Sequence, residues 1–423
     1  MEEFKYLIPE ESIDAIITNV EKLREIENHL RHVFSNHGYN EVLMPSFEYV
    51  DLYTKLDCGF TVDKMFQYIN HEGKNVAMRL DFTIPLARLY ANSANTGEAR
   101  YSYFGKVYRK ETMHKGRSSE FFQGGVELMN KPGLQGDKEV MTMIQESLPG
   151  ISLKNILLEL GSAKFYNRLL ELVGNQRNEL EDILRLRDIS EMKRFISKND
   201  FEESLNQLLL SLPTCFGNID LLHQMMDKCQ DSVLLGALQE LKDLYESLDS
   251  KEGIIFDLGM VPTMKYYTGF MIKGYSDQSA NPILSGGRYD DLTGIFGMKN
   301  MSGVGISFGA DRIFDVMNQL DIFPKDSTAT TRVLFVNFGE KEEAFCLPVL
   351  KTLRNARINS EIYPEAAKMK KQMTYADKKS IPYVALVGEN EINNNVVTLK
   401  NMLTGEQESV AISSLVDKLK SEN

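Results

Sequence analysis

The stretch Val261-Pro-Thr-Met-Lys-Tyr-Tyr-Thr-Gly269 is the most informative part of this 423-residue chain. Two adjacent tyrosines, Tyr266 and Tyr267, supply hydroxyl groups that can both donate and accept hydrogen bonds. Lys265 precedes them directly, and Pro262 lies three positions further back. A proline ring carries no charge, so it cannot stabilise negative charge on a phosphate. The stretch therefore combines an aromatic, hydrogen-bonding half with a half that lacks an anion-stabilising arginine.

Two other stretches place acidic and polar side chains close together in sequence. They are Met78-Arg-Leu-Asp-Phe-Thr-Ile-Pro85, with Asp81 and Thr83, and Glu120-Phe-Phe-Gln-Gly-Gly-Val-Glu127, with Gln123. An acidic side chain can pair with an ammonium group. Carboxylates and tyrosine hydroxyls together suit an imidazole, which offers one donor and one acceptor when it is neutral. Each of these residues taken alone is equally consistent with ordinary polar decoration of a strand.

Together the three stretches resemble the amino-acid-binding motifs of histidyl-tRNA synthetases, which are class II aminoacyl-tRNA synthetases. In that family the last motif reads R-G-L-D-Y-Y-T-G, so Pro262 stands at the position of the catalytic arginine and Lys265 at that of the aspartate. The resemblance implies that no catalytic residue remains. It assigns histidine binding to Asp81, Thr83, Gln123, Glu127, Tyr266 and Tyr267, with Asp81 pairing with the α-ammonium group.

Further stretches resemble the ATP-binding elements of the same family. Phe104-Gly-Lys-Val-Tyr-Arg-Lys-Glu111 and the loop after it resemble motif 2, and Val304-Gly-Ile-Ser-Phe-Gly-Ala-Asp-Arg312 resembles motif 3. Ser119 stands in place of the second arginine of the loop, and this replacement should weaken the binding of a triphosphate. The resemblance assigns a vestigial ATP site to Arg109, Glu111, Arg117 and Arg312.

The predicted fold class is α+β. We expect a class II synthetase-like core with an antiparallel sheet over residues 1–325, a helical insertion at about 165–250, a linker at 326–331, and an anticodon-binding-like α/β domain over 332–423. Within the core, the patterns predict a helix over 13–34, a strand over 39–45, short strands and polar loops over 77–127, and strands at 253–256, 266–273 and 283–285. In the last domain, strands alternating with helices predict a parallel sheet. The stretch from Gly38 to Pro45 resembles motif 1, which implies a homodimer.

Composition limits the partners and the location. The net charge of −12 argues against nucleic acid, because RNA-binding proteins usually display a basic surface. No apolar run is long enough to span a membrane, and the acidic N-terminus does not resemble a signal peptide, so we expect a cytoplasmic protein. The four widely spaced cysteines and six histidines form no metal-binding pattern. We expect neither a metal nor a cofactor.

Two related families share this scaffold: histidyl-tRNA synthetases and the regulatory subunits of ATP phosphoribosyltransferase, the first enzyme of histidine biosynthesis. Pro262, the stretch Phe256-Asp-Leu-Gly-Met-Val261 and the stretch from Gln123 to Glu127 favour the regulatory family. The resemblance then implies a non-catalytic protein that activates a short-form catalytic subunit, binds L-histidine as feedback effector, and forms a homodimer within a hetero-oligomer. A full-length C-terminal domain favours the alternative, an active histidyl-tRNA synthetase that joins histidine to tRNA at the expense of ATP.

Overall fold

The computed structural model describes residues 17–55, 58–93, 96–110, 118–290, 292–323 and 331–421. The chain divides into two compact units. The larger unit contains Leu23–Ile322, and the smaller contains Phe323–Asn423 together with Ile16–Lys22. Each unit combines a sheet with helices, and the predicted α+β fold class is confirmed.

A large sheet organises the larger unit. Nine strands among the described residues form it: β1 (Asn40–Glu41), β5 (Ala99–Tyr108), β6 (Glu120–Met129), β7 (Leu157–Ser162), β8 (Phe216–Gly217), β9 (Ile254–Asp257), β10 (Phe270–Tyr275), β11 (Leu284–Arg288) and β12 (Gly303–Gly309). Their order across the sheet is β1-β5-β6-β12-β11-β10-β7-β9-β8. The pairs β1–β5 and β7–β9 are parallel, and the other neighbours are antiparallel. The sheet thus has the antiparallel centre expected from the sequence.

A smaller, three-stranded sheet is formed by residues near the N-terminal end of the larger unit. It contains β2 (Phe47–Tyr49), β3 (Gln67–Ile69) and β4 (Asn75–Met78) in the antiparallel order β2-β4-β3. The short helix α2 (Asp51–Thr54) follows β2. Strand β4 leads directly into Arg79, whose guanidinium donates hydrogen bonds to the carbonyl oxygens of Met44, Pro45 and Lys106 at 2.7–3.2 Å. Arg79 therefore fixes the end of β4 against β5.

The prediction of short strands and polar loops over 77–127 missed a helix and underestimated the length of two strands. This region contains helix α3 (Thr83–Asn92) and two ten-residue strands, β5 and β6. Pro85 falls in the first turn of α3, where a missing N–H costs little. Leu86 and Tyr90 recur on one face and are fully buried against Tyr103. The helix was not predicted because it contains a proline and its apolar run is short.

Two element boundaries near the N-terminus differ from the predictions. Helix α1 runs over Ile17–Asn36, and residues 13–16 of the predicted helix lie outside the described part. The predicted strand over 39–45 is limited to β1, Asn40–Glu41, although the amide of Val42 still donates to the Ser102 carbonyl at 2.9 Å. Gly38 adopts a φ of 79°, which an L side chain rarely adopts, and it separates α1 from β1.

Helices cover the outside of the large sheet and fill the segment between β7 and β9. They are α4 (Leu134–Gly150), α5 (Ala163–Val173), α6 (Arg177–Leu186), α7 (Ile189–Lys198), α8 (Glu203–Ser211), α9 (Ile219–Lys228), α10 (Ser232–Ser247) and, after β12, α11 (Ala310–Gln319). Side-chain oxygens of Ser162, Asp188, Asn218 and Asp231 accept backbone N–H groups at the starts of α5, α7, α9 and α10. Such caps satisfy otherwise unpaired amides and define where each helix begins.

The smaller unit has a mixed sheet. Its elements are β13 (Val333–Phe335), α12 (Glu340–Asn355), β14 (Ser360–Ile362), α13 (Met369–Lys378), β15 (Tyr383–Leu386), α14 (Glu389–Asn394), β16 (Val396–Asn401), β17 (Gln407–Ala411) and α15 (Leu415–Ser421). The sheet order is β14-β13-β15-β16-β17. The first three strands are parallel as predicted, but β16 and β17 are antiparallel, and the prediction missed this hairpin. Except for Thr331, the predicted linker at 326–331 lies outside the described residues.

Candidate functional site

A cavity of about 340 Å³ lies on one face of the large sheet. Its wall includes all six residues that the sequence assigns to histidine binding: Asp81, Thr83, Gln123, Glu127, Tyr266 and Tyr267. Arg109 and Arg312 of the predicted ATP site line the same cavity. Glu111 and Arg117 lie outside the described residues. Segments far apart in sequence thus meet around one space.

The strand register explains how the floor of the cavity forms. Glu127 of β6 pairs with Gly305 of β12, and both side-chain positions face the same side of the sheet. A Cβ atom added to Gly305 would overlap the Glu127 carboxylate. The next row on this face pairs Lys273 of β10 with Ser285 of β11, and Ser285 with Ser307 of β12. Because Gly305 has no side chain, it leaves the space that the Glu127 carboxylate occupies.

Asp81 is a buried carboxylate with incomplete hydrogen bonding. Only 4% of its surface is exposed, and its Oδ2 atom accepts the backbone N–H of Ile84 at 3.3 Å. Its Oδ1 atom has no hydrogen-bond partner among the described residues. Burial raises the pKa of Asp81 to about 7, although the nearby guanidinium of Arg109 opposes the shift. Asp81 thus presents one free acceptor atom at the cavity.

Glu127 is a second buried carboxylate, and hydroxyl groups surround it. Thr83 Oγ1 donates to Glu127 Oε1 at 2.6 Å, and the hydroxyl of Tyr289 donates to Oε2. The hydroxyl of Tyr103 is a third donor. Burial raises the pKa of Glu127 to about 8, although these hydroxyl donors favour the charged form. All three donors are electrically neutral groups, so none supplies a positive charge.

Tyr266 and Tyr267 form an aromatic wall. Their ring centroids are 5.3 Å apart, and Tyr266 makes an edge contact with Tyr289 at 5.8 Å. The predicted strand over 266–273 is wrong in its first four residues, because β10 begins at Phe270. The amides of Thr268 and Gly269 instead both point to the carbonyl oxygen of Arg288. This turn directs both tyrosines toward the cavity, and burial raises the pKa of each hydroxyl.

The remaining predicted residues occupy the other side of the cavity. Gln123 is half-buried on β6. Arg109 donates from Nε to the Leu80 carbonyl at 2.8 Å, which places its guanidinium next to the Asp81 segment. Arg312, in the first turn of α11, donates to the Pro282 carbonyl at 2.6 Å. Both guanidinium groups are therefore held by backbone carbonyls at the cavity wall.

Sequence reasoning missed several cavity residues. Tyr103, Lys273, Ser307 and Tyr289 all line the cavity. Tyr289 lies in Ser285-Gly-Gly-Arg-Tyr-Asp290, which resembles the G-G-R-Y-D element of histidyl-tRNA synthetases, so its position could have been inferred from that resemblance. Lys273 and Tyr275 of β10 both line the cavity, as strand alternation requires, but nothing in the sequence showed that this face meets the cavity. No signal in the sequence pointed to Tyr103.

Pro262 and Lys265 lie just before this wall. Pro262 is buried, and Lys265 is exposed.

Within the described part of the chain, no group of three or more His, Cys, Asp or Glu residues could hold a metal ion. The four cysteines are free thiols: Cys58, Cys215, Cys229 and Cys346.

Together the antiparallel sheet, the cavity and the separate α/β unit define a class II aminoacyl-tRNA synthetase-like protein. The histidyl-tRNA synthetase family model matches residues 14–313, and the anticodon-binding domain model matches residues 332–422. The chain is 42% identical to the ATP phosphoribosyltransferase regulatory subunit of Lactococcus lactis subsp. lactis over 70% of this chain and 91% of that protein. It is 34% identical to the histidine–tRNA ligase of Phocaeicola vulgatus over 98% of both chains.

A solved structure supports the fold. The histidyl-tRNA synthetase of Nostoc sp. PCC 7120 superposes with a TM-score of 0.83 at 20% identity, covering 99% of this chain and 100% of that one. The chain therefore belongs to the family that comprises histidyl-tRNA synthetases and the related regulatory subunits of ATP phosphoribosyltransferase. No helix in the described ranges is long and apolar enough to span a membrane.

Proposed function

We propose that this protein is the non-catalytic regulatory subunit of an ATP phosphoribosyltransferase and that it binds L-histidine in the cavity. The observation that carries the proposal is that the six histidine-binding candidates line one cavity. The resemblance to the synthetase motif adds that Pro262 stands where the catalytic arginine is expected. The 42% identity to a protein named as such a regulatory subunit supports the same assignment.

Histidine fits the charges and hydrogen-bonding groups of the cavity. The free Oδ1 of Asp81 accepts a hydrogen bond from the α-ammonium group, with Gln123 beside it as a further polar contact. The imidazole lies between Glu127 and the hydroxyls of Tyr266 and Tyr267, which together can accept from its N–H and donate to its bare nitrogen. Two buried carboxylates favour a positively charged ligand over a neutral or anionic one.

The same cavity is poorly equipped for adenylate formation. A synthetase must stabilise the negative charge that develops on the α-phosphate, and losing one such group costs about 3 kcal/mol of transition-state stabilisation. Pro262 supplies no cation. Among the described cavity residues, the cations are Arg109, Lys273 and Arg312. Arg109 and Arg312 already donate to the backbone carbonyls of Leu80 and Pro282.

Regulation follows from binding histidine with different affinity in two states of a complex. A ligand shifts an equilibrium only by its difference in affinity for the two states. The proposed partner is a short-form catalytic subunit, and the proposed assembly is a homodimer through the Gly38–Pro45 region within a hetero-oligomer. Histidine bound beside Asp81 then stabilises the less active state of the complex.

The decisive test is reconstitution. This protein is mixed with the short-form transferase from the same genome, and the complex is purified by size exclusion. Formation of phosphoribosyl-ATP is then measured with and without histidine. We expect activity to rise in the mixture, histidine to lower it, and an Asp81→Ala complex to remain active but insensitive to histidine. Failure to form a complex, or activity indifferent to this chain, contradicts the assignment.

An active histidyl-tRNA synthetase is the second candidate. The relevant observation is that the histidine–tRNA ligase of Phocaeicola vulgatus aligns over 98% of this chain, including the C-terminal unit, whereas the Lactococcus regulatory subunit aligns over 70%. Histidine-dependent exchange of pyrophosphate into ATP distinguishes the two. We expect exchange at background level, and robust exchange or charging of tRNA would establish the synthetase instead.

A further inference from the structure

The two buried carboxylates in the cavity are close to many neutral groups and to few charges. We propose that the ligand-free cavity holds one proton between Asp81 and Glu127, and that a ligand carrying an ammonium group expels it on binding. This inference rests on the proposed function and adds a property to it: the protein senses histidine less well as pH falls.

The geometry gives neither carboxylate an ion-pair partner among the described residues. Asp81 and Glu127 are 4% and 1% exposed, and both line the same cavity. Asp81 has one oxygen with no hydrogen-bond partner among the described residues, and the hydroxyl donors to Glu127 are neutral. Within the described ranges no lysine, arginine or histidine forms an ion pair with either residue. Two ionised carboxylates in one dry cavity are unfavourable, and one proton on the pair relieves the repulsion.

The charged groups around Asp81 do not replace the proton that relieves this repulsion. Arg79 and Arg109 lie close enough to favour its ionised form, and the Glu48 carboxylate opposes it. The hydrogen bonds of Arg79, however, go to backbone carbonyls of other residues, and Arg109 donates to the Leu80 carbonyl. Tyr53 faces Asp81 as an uncharged phenol.

The side chains that donate to Glu127 or pack around it are uncharged. They are the phenols of Tyr103, Tyr266, Tyr267 and Tyr289 and the hydroxyl of Thr83. Burial raises the pKa of Asp81 to about 7 and that of Glu127 to about 8, and the Asp81 charge contributes to the shift at Glu127. As the two groups are coupled, the proton belongs to the pair and not to one residue.

An α-ammonium group beside Asp81 supplies the missing positive charge. Both carboxylates then ionise, and the proton leaves to solvent. Because binding releases the proton, histidine affinity increases with pH until the ligand-free pair has lost its last proton, at about pH 8. Between about pH 7 and pH 8, where the pair holds one proton, this release corresponds to about a tenfold change in affinity for each pH unit.

Calorimetry measures the proton directly. Histidine binding is titrated at pH 7.5 in two buffers whose ionisation enthalpies differ, and the difference in heat gives the number of protons released. We expect close to one per histidine, and well below half of one for Glu127→Gln. The matched control is Asp315→Asn, an acid-to-amide change on α11 outside the cavity, which should leave proton release unchanged.

A ligand analogue identifies the source of the proton. 3-(1,2,4-Triazol-3-yl)alanine keeps the ammonium group but has a much less basic ring, so it should release the same proton as histidine. Histidine binding with no proton release, or release that disappears with the analogue, overturns the inference and leaves the histidine site intact. If histidine does not bind, the proposed function fails. The pH dependence of unfolding of the unliganded protein, compared with Glu127→Gln, then decides whether the cavity holds a proton.

Discussion

The hydroxyl of Tyr289 donates a hydrogen bond to Oε2 of Glu127, although the two residues are 162 positions apart in the chain. Both side chains are buried, and the bond joins the residue that follows β11 to the C-terminal part of β6. Thr83 satisfies the other oxygen of Glu127 from α3. The orientation of this carboxylate in the cavity therefore depends on hydroxyl groups from separate parts of the fold.

Tyr289→Phe should weaken histidine binding while the protein remains folded. The change removes one buried donor and leaves Glu127 Oε2 less well satisfied, which typically costs about 1–3 kcal/mol. Titration calorimetry at pH 7.5 should thus show an affinity roughly 5-fold to 100-fold lower. Tyr68→Phe on the exposed strand β3 is the control, and it should bind histidine normally. Equal affinity for both variants would show that Tyr289 does not orient Glu127 for ligand binding.

Asp81→Ala should abolish measurable histidine binding. Removing the carboxylate leaves the ligand ammonium without a counter-charge in a buried site, a loss of roughly 2–5 kcal/mol. The circular dichroism spectrum should stay that of the native protein, because Asp81 accepts a single, long backbone hydrogen bond from the residues that the structure describes. Unchanged affinity would place the histidine site elsewhere in the molecule.

The stability that Asp81 and Glu127 contribute to the unliganded protein should be lost as pH rises from about 4 to about 8. The pKa values of Asp81 and Glu127 rise on folding from 3.8 to about 7 and from 4.5 to about 8. The folded state therefore holds protons more tightly than the unfolded state, so stability is full at low pH within this window and is lost as pH increases. A pKa that is higher by one in the folded state than in the unfolded state corresponds to about 1.4 kcal/mol of stability.

Asp81→Asn tests this pH dependence. The variant cannot ionise at position 81, so its free energy of unfolding should fall less than that of the parent between pH 6 and pH 8. Urea denaturation at the two pH values measures the difference. Parallel losses in the two proteins would show that Asp81 is ionised, or already compensated, throughout this range.

Gly305→Ala should also remove histidine binding. The added Cβ would overlap the Glu127 carboxylate and force it to move. Gly236→Ala is a matched control, because Gly236 lies within α10 and an added Cβ would meet no atom within 4 Å. Replacing a helical glycine by alanine should raise stability by about 0.5–1 kcal/mol. If Gly305→Ala binds histidine as tightly as Gly236→Ala, Glu127 tolerates displacement.

The fold class was predictable because the motifs that carry it are short, contiguous and chemically distinctive. Tyr266, Tyr267 and Glu127 could be named from such motifs, and the structure brings them to one cavity. Helix α3 was not predictable in the same way, since only packing against Tyr103 reveals its buried face. The hairpin β16–β17 was missed because its two strands contain many polar residues, which weakens the strand pattern.

The hydrogen bonds of Arg79 have a consequence for local motion. Its amide donates to the Ser46 carbonyl at 2.9 Å, its carbonyl accepts the amide of Tyr108 at 2.9 Å, and its side chain joins residues 44, 45 and 106. These bonds break together if this corner opens, so it should behave as one cooperative unit. In hydrogen–deuterium exchange, the amides of Arg79 and Tyr108 should therefore show matching protection factors. Asp81, two residues away, then stays in place for as long as this corner remains closed.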